Sequence, residues 1–329
     1  AGSRIINCTI YNNSADSLDG GVFAIDATTI INSIIWRNLK GSVYTIDDIS
    51  VSRSCFEEAD GNNHNISANP LFENTRGDAA GWNFQLQNGS PCIDRGMVSE
   101  APDTDMEGNP RPGGDDKVCI GAYESEDAFE PSEPAPPARL YVSKNGNNSD
   151  GLSWENAFLT LSGGLDNMPD DMTEIWVAEG VYQEPKTMIV PARTSLYGGF
   201  AGHEEDISQR KIDEYPAVID GRNKFRVFEN FGLIDGLTII NGAAERGAGV
   251  YNYSGEISKC TLSDNNADYV GGALYNRHGR VTECLISGNS SSSGSGGGIL
   301  NNYGEILKCK IWDNRAEYNG GGIRNLKDI

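Results

Sequence analysis

The sequence predicts an all-β fold, a right-handed parallel β-helix (solenoid) with coils of about 24 residues, and self-similarity carries the prediction. GAGVYNYSGEISKCTLSDNNADYV (247–270) is followed by GGALYNRHGRVTECLISGNSSSSGS (271–295), GGGILNNYGEILKCKIWDNRAEYN (296–319) and the opening of a fourth copy, GGGIRNLKDI (320–329). Cys260, Cys284 and Cys309 fall at spacings of 24 and 25, and Asn265, Asn289 and Asn314 keep the same step. Each copy holds short alternating runs, such as Val250-Tyr251 and Ile257 to Leu262, separated by Gly or Asn turns. Repeats of this length stack as coils about 4.8 Å apart. The 40 glycines and 9% aromatic content agree, since they fit many short strands joined by tight turns better than packed amphipathic helices.

Stacking assigns roles to the repeated residues. Asparagines in register can ladder their amides and tolerate left-handed bends. The cysteines are expected as small, buried, inward-facing residues and not as redox centres. A leucine-rich repeat would need an L-x-x-L-x-L pattern, which is missing. Upstream, Glu174 to Ala178, Met188 to Val190, Ser195 to Tyr197, Ala217 to Ile219 and Leu233 to Ile240 read as earlier, less regular coils. Ser153 to Leu161 is expected to form a short amphipathic helix, with Ser153 as N-cap, covering the open amino-terminal end of the stack. SEDAFEPSEPAPPA (125–138) reads as a stiff acidic, proline-rich linker.

YVSKNGNNSDGLSWENAF (141–158), EIWVAEGVY (174–182) and SLYGGFAGHEEDISQRK (195–211) occur in an order that resembles the opening of bacterial surface β-helix proteins of the polymorphic-outer-membrane-protein and choice-of-anchor type. The GG-x-x-N and C-x-I-x-x-N texture of the repeats is similar to that family as well. SANPLF (67–72), GSPCIDRG (89–96), DTDMEGNPRP (103–112) and CIGAYE (119–124) resemble its closing segment. The resemblance covers nearly the whole chain in inverted order. It implies that 1–124 is the carboxy-terminal half of a β-helix with its closing segment, and that 139–329 is the amino-terminal cap and half of a β-helix. Cys92 and Cys119 replace residues that are more often Ala and Asp there, and a disulfide between them is the expectation that follows for a secreted protein.

An alternating pattern is already running at residue 4 and still running at Ile329, so both ends are expected to fall inside a structural unit. Residues 3–13 read as the continuation of GGGIRNLKDI. Three arrangements fit: a circular permutant within one chain, strand donation between copies to build a fibre, or one period of a longer tandem protein. For the fibre, the donor run would be Ile5, Ile6, Cys8 and Ile10 and the acceptor run Gly321, Gly322, Ile323 and Asn325.

The net charge of −21 would repel nucleic acid and anionic lipid, which makes polyanions poor candidate partners, and no run of about 18 apolar residues offers a membrane span. No catalytic centre is expected. Asp220 and Asp235, with Arg222 and Arg226 nearby, are the best candidates for saccharide chemistry, yet Asp-Gly pairs are ordinary turns. His64, His203 and His278 show no zinc spacing and are expected at the surface. No cofactor is expected beyond calcium, for which Asp103, Asp105 and Glu107 begin a candidate loop; its twelfth position is Gly114 in place of a glutamate. The leading expectation is a non-enzymatic, secreted or cell-surface protein that polymerises head to tail with copies of itself. A glycan-binding adhesin using Tyr251, Tyr253, Tyr303 and Trp312 is the alternative, followed by a polysaccharide lyase or hydrolase.

Overall fold

The structure, a computed structural model, describes residues 2–15, 20–24, 27–38, 42–45, 49–57, 59, 61–75, 79–113, 116–126, 138–168 and 173–326. The linker at 125–138 lies almost wholly outside them, as do Gly114 and 327–329. The chain forms two compact units, Ala1–Pro136 and Pro137–Ile329.

The second unit is a parallel β-solenoid. Sheet A stacks seven strands, Ala138–Val142, Thr173–Ala178, Thr194–Phe200, Leu233–Asp235, Glu256–Ser258, Arg280–Thr282 and Glu305–Leu307. Sheet B stacks six, from Gly180–Gln183 to Lys310–Trp312, and sheet D six, from Met188–Val190 to Ile323–Leu326. A short sheet C of four strands runs from Ala243–Arg246 to Arg315–Ala316. Pairing is parallel, and the repeat step sets the register: Ile234 lies beside Ile257, Ile257 beside Val281 and Val281 beside Ile306. A second inward row runs Ile239, Leu262, Ile286, Ile311. These rows fill a continuous apolar core that ends in the partly buried Ile306, Cys309 and Ile311.

Two left-handed bends fold each regular coil. Lys259, Glu283 and Lys308 turn the chain from sheet A to sheet B at φ of 51°, 55° and 53°, and Asp264 and Asp313 turn it out of sheet B at 56° and 53°. A non-glycine residue there costs about 1–2 kcal/mol, so the bends persist because their neighbours hold them. After the first bend, the thiols of Cys260, Cys284 and Cys309 donate to the carbonyls of Ser258, Thr282 and Leu307 at 3.2, 3.2 and 3.3 Å. After the second, the amide of Asn265 donates to Asn289 Oδ1 at 3.0 Å, and Asn289 to Asn314 Oδ1 at 2.9 Å. A further ladder runs inside sheet D through Asn230, Asn252, Asn276, Asn301 and Asn325. Buried backbone polar groups that the bends leave unpaired thus find side-chain partners.

The helix expected at 153–161 does not form. Ser153 caps a single turn, its Oγ accepting from Asn156 N at 3.2 Å, and Phe158 is then drawn into extended pairing beside the first strand of sheet A. The α-helix is instead Leu161–Asp166, with Thr160 as its N-cap, packed on sheets A and D through the fully buried Leu161.

The first unit repeats the coil and adds a second layer. Strands β1 (Ser3–Ile6), β2 (Thr9–Tyr11), β3 (Val22–Ala24), β4 (Thr28–Ile31), β5 (Ile34–Trp36), β6 (Val43–Thr45), β7 (Ile49–Ser52) and β8 (Cys55–Phe56) stack as β1-β4-β7, β2-β5-β8 and β3-β6. Inside lie Val22, Ile30 and Ile35, with Ile5, Ile10, Val51 and Phe56 against them. Alternation along β5 turns Ile34 and Trp36 to the other face, where described residues between Phe72 and Ile120 cover them. There Phe72, Leu86, Cys92, Ile93, Cys119 and Ile120 build a second apolar core. The Asn7 and Asn32 amides hold this closing segment by bonds to the carbonyls of Cys119 and Met97 at 3.1 and 3.0 Å. Arg111 and Glu124 pair beneath it at 2.8 Å, both almost fully buried.

The Asn276 amide donates to Asn301 Oδ1 and the Gly279 carbonyl and accepts from Asn252, all in the interior. Asn276→Ala is expected to destabilise the solenoid by about 2–3 kcal/mol, and Asn325→Ala, at the exposed foot of the same ladder, by less than about 1 kcal/mol. Urea titration of both variants checks this; equal losses would show that the ladder is ornamental.

Candidate functional site

The feature that stands out is a coil edge in each unit that, among the described residues, has no further strand of its unit paired to it. In the second unit, Glu305–Leu307, Lys310–Trp312 and Ile323–Leu326 are edge strands, and in the first unit β1 and β2 are. The opposite edges are occupied: helix Leu161–Asp166 packs on the first strands of the second unit, and Ile66 pairs with Cys55 beside β8.

The two uncovered edges are built to one pattern. In the first unit Asn7 and Asn12 take the two left-handed bends, at φ of 48° and 55°. The Cys8 thiol donates to the Ile6 carbonyl at 3.3 Å, as Cys309 does to Leu307. Asn13 donates to Asn38 Oδ1 at 3.0 Å, as Asn265 does to Asn289. The backbone follows suit: Ile34 N donates to Cys8 O at 2.8 Å, and Lys310 N to Cys284 O at 2.9 Å. Ile5, Cys8, Ile10 and Asn13 therefore hold the positions that Ile306, Cys309, Ile311 and Asn314 hold in the other unit.

This placement divides the expected interface residues between sheets. Ile5, Ile6, Cys8 and Ile10 lie on β1, β2 and the bend between them, whereas Gly321, Gly322, Ile323 and Asn325 lie on and just before a sheet D strand. Their counterpart in the first unit is β3, where Val22 matches Ile323 and Ala24 stands in place of the ladder asparagine. Of the edge residues Ile306, Cys309, Ile311 and Asn314, the sequence marked Cys309 and Asn314 as repeat positions but assigned none of the four to an interface. The repeat spacing that located Cys260 and Cys284 also contained them.

The remaining candidates are dispersed. Asp220 accepts from the Asn241 amide at 2.9 Å, the Arg222 backbone at 2.9 Å and the Gln183 amide at 3.2 Å; burial pushes its carboxyl up, but these bonds outweigh it and hold it below the usual range. Asp235 sits on sheet A, ion-paired with Arg210, and both line an open groove of about 520 Å³. Arg222 donates to the Glu184 carbonyl and Arg226 pairs with Glu229. His64, His203 and His278 are exposed, and His278 stacks on Tyr303. Tyr251 and Tyr253 stack on each other at 4.3 Å, with Phe231 on the far side of Tyr253 and Tyr275 beside Tyr251, which commits ring faces that a sugar would need. Trp312 and Tyr303 are about half exposed.

Asp105 accepts from the backbone amides of Glu107, Asn109 and Glu124. Its burial is outweighed by these bonds, so its carboxyl lies below the usual range. Glu107 accepts from Gln85 and Asp103 offers its carbonyl to Arg111 N. Among the described residues no three His, Cys, Asp or Glu side chains gather as a metal site, and no helix is long and apolar enough to cross a membrane. Cys92 and Cys119 are buried free thiols, not joined in the expected disulfide.

No protein-family model, curated protein or solved structure matches the chain.

Burial, and then the Glu124 charge, pushes the Cys119 thiol up to about 12, and burial raises Cys92 well above its ordinary value. Since the thiolate is the nucleophile, iodoacetamide at pH 8 is expected to leave both unmodified in the folded chain and to alkylate both in urea. Rapid native labelling, read by mass spectrometry, would show that the closing segment opens.

Proposed function

We propose that the protein is a non-enzymatic structural protein of the cell surface or extracellular space that assembles head to tail, one copy's second unit seating its lower edge on the first unit of the next. The observation that carries this is the shared coil pattern. The bends, thiol, ladder asparagine and inward isoleucines of the two edges coincide position by position. The complement of such an edge is therefore another coil of the same design, which the next copy supplies.

Docking in register would place Ile306 over Ile5 and Ile311 over Ile10, extending both apolar rows. Lys308 N would donate to Ile6 O and Thr9 N to Cys309 O, by the rule that Glu283 N follows with Leu307 O and Lys310 N with Cys284 O. Asn314 would donate to Asn13 Oδ1. Unpaired strand edges favour this addition, and because the two edges are different surfaces, the contact propagates instead of closing. The resemblance of 139–221 to bacterial surface β-helix proteins supports the extracellular setting.

Electron microscopy of the intact chain over a range of concentrations, beside a copy lacking residues 1–12, tests the proposal. Fibres are expected from the intact chain alone. Ile311→Asp buries a charge in the joint, and the concentration needed for assembly should rise at least about tenfold, since 1.4 kcal/mol already suffices for that. Monodisperse particles from the intact chain, or fibres from the truncated one, would overturn the reading.

A further inference from the structure

We infer that the groove beside Asp235 is a binding site for a neutral saccharide, independent of the assembly proposed above. Its floor is the outer face of sheet A, where Tyr197 and Asp235 are register neighbours while Leu196 and Ile234 point into the core. One wall is the segment 201–213, which contributes Ile207, Arg210, Ile212 and Asp213, and Lys259 stands on the next coil below. The volume, about 520 Å³, falls in the range of ligand sites, roughly 300–1,000 Å³.

The wall is held firmly. The Glu204 carboxylate accepts from the backbone amides of Ala201, Gly202 and His203 at 2.6, 2.9 and 3.0 Å, and its carbonyl accepts from the Trp154 indole at 2.9 Å. Asp206 closes a capping box with Gln209. Ile212 then locks the segment onto the solenoid: a Cβ on Gly199 or Gly236 would approach its atoms to 2.9 Å. Gly236 takes the left-handed bend that Lys259, Glu283 and Lys308 take in the coils below. Here the bend carries no side chain because Ile212 occupies the space where one would begin.

This scaffold presents a mixed set of polar groups. Arg210 pairs with Asp235, both side chains about nine-tenths buried, and its guanidinium lies 5.1 Å from the centre of the Tyr197 ring. One bond leaves a guanidinium with further N–H donors and a carboxylate with a second oxygen. Asp213 and Lys259 are exposed at the rim and make no ion pair or side-chain hydrogen bond among the described residues. Two cations and two carboxylates cancel, so the groove is locally neutral on a chain of net charge −21, which disfavours an acidic polymer. Hydroxyls both donate and accept, and a ring bearing several of them can use the donors Arg210 and Lys259 together with the acceptors Asp213 and Asp235. Ile207 and Ile212 offer apolar surface to the C–H faces of the ring. The groove is open along one side, so a segment of a longer glycan can lie in it.

Native affinity electrophoresis of the full chain tests the site, in gels containing hydroxyethyl cellulose, xyloglucan, galactomannan or dextran, with polygalacturonate as the acidic comparison. At least one neutral polysaccharide is expected to retard the protein. For a site of this size the dissociation constant per sugar is expected in the millimolar range. Asp213→Ala and Lys259→Ala, both exposed and without partners that folding needs, should each weaken the retardation about tenfold or more. Lys224→Ala, exposed and outside the groove lining, should leave it unchanged. No retardation by any neutral polysaccharide, retardation by polygalacturonate alone, or equal retardation of the intact and rim-substituted chains would each overturn the inference.

Discussion

The regular coils of this molecule depend on how the backbone is kept satisfied at two left-handed bends in each. A strand of three residues has little pairing of its own, and the bends interrupt it every few positions. Cysteine and asparagine suit the positions after the bends for distinct reasons. A thiol is small enough to face inward and still reaches a carbonyl two residues back. An amide carries donor and acceptor together, so one residue type both gives to the coil below and receives from the coil above. Where the first unit has Ser33 and Ser54 in the thiol position, the hydroxyls make the same bonds, to Ile31 O at 3.0 Å and Ser52 O at 2.9 Å. The requirement is for a short donor, not for sulfur.

The fold was legible because this requirement recurs every 24 or 25 residues. Cys260, Cys284 and Cys309 mark the same bend, and Asn265, Asn289 and Asn314 the next, so period and chemistry pointed the same way. The edge positions were legible in part. Ile5, Cys8 and Ile10 were visible as a coil fragment, but their partners by position lie at Ile306, Cys309 and Ile311, in the midst of a repeat that already looked complete. The helix at 153–161 misled because Trp154, Phe158 and Leu161 have helical spacing. Pairing of Phe158 beside the first sheet A strand, a tertiary contact, overrode that local preference.

The second core of the first unit and the groove of the second were hidden for a common reason. Both rest on segments that leave the repeat and return over its outer face. Nothing in the period announces that Ile34 and Trp36 point outward into a second apolar layer, since an apolar strand buried on both faces shows no alternation. Gly236 read as half of an Asp-Gly turn. Its meaning lies in Ile212, a residue 24 positions away that has no counterpart in the regular coils.

The closing segment also sets how each unit would yield to a pulling force. Coils of the second unit touch only their neighbours through most of their length, so a load at the lower edge would strip them one after another, each releasing about 80 Å of chain at roughly 3.4 Å per residue. In the first unit, the closing segment ties together strands from successive coils, Asn7 bonding to its Cys119 carbonyl and Asn32 to its Met97 carbonyl. No coil there can leave until the cover does. The same repeat thus yields a rope that pays out in steps on one side and a clasp that opens all at once on the other.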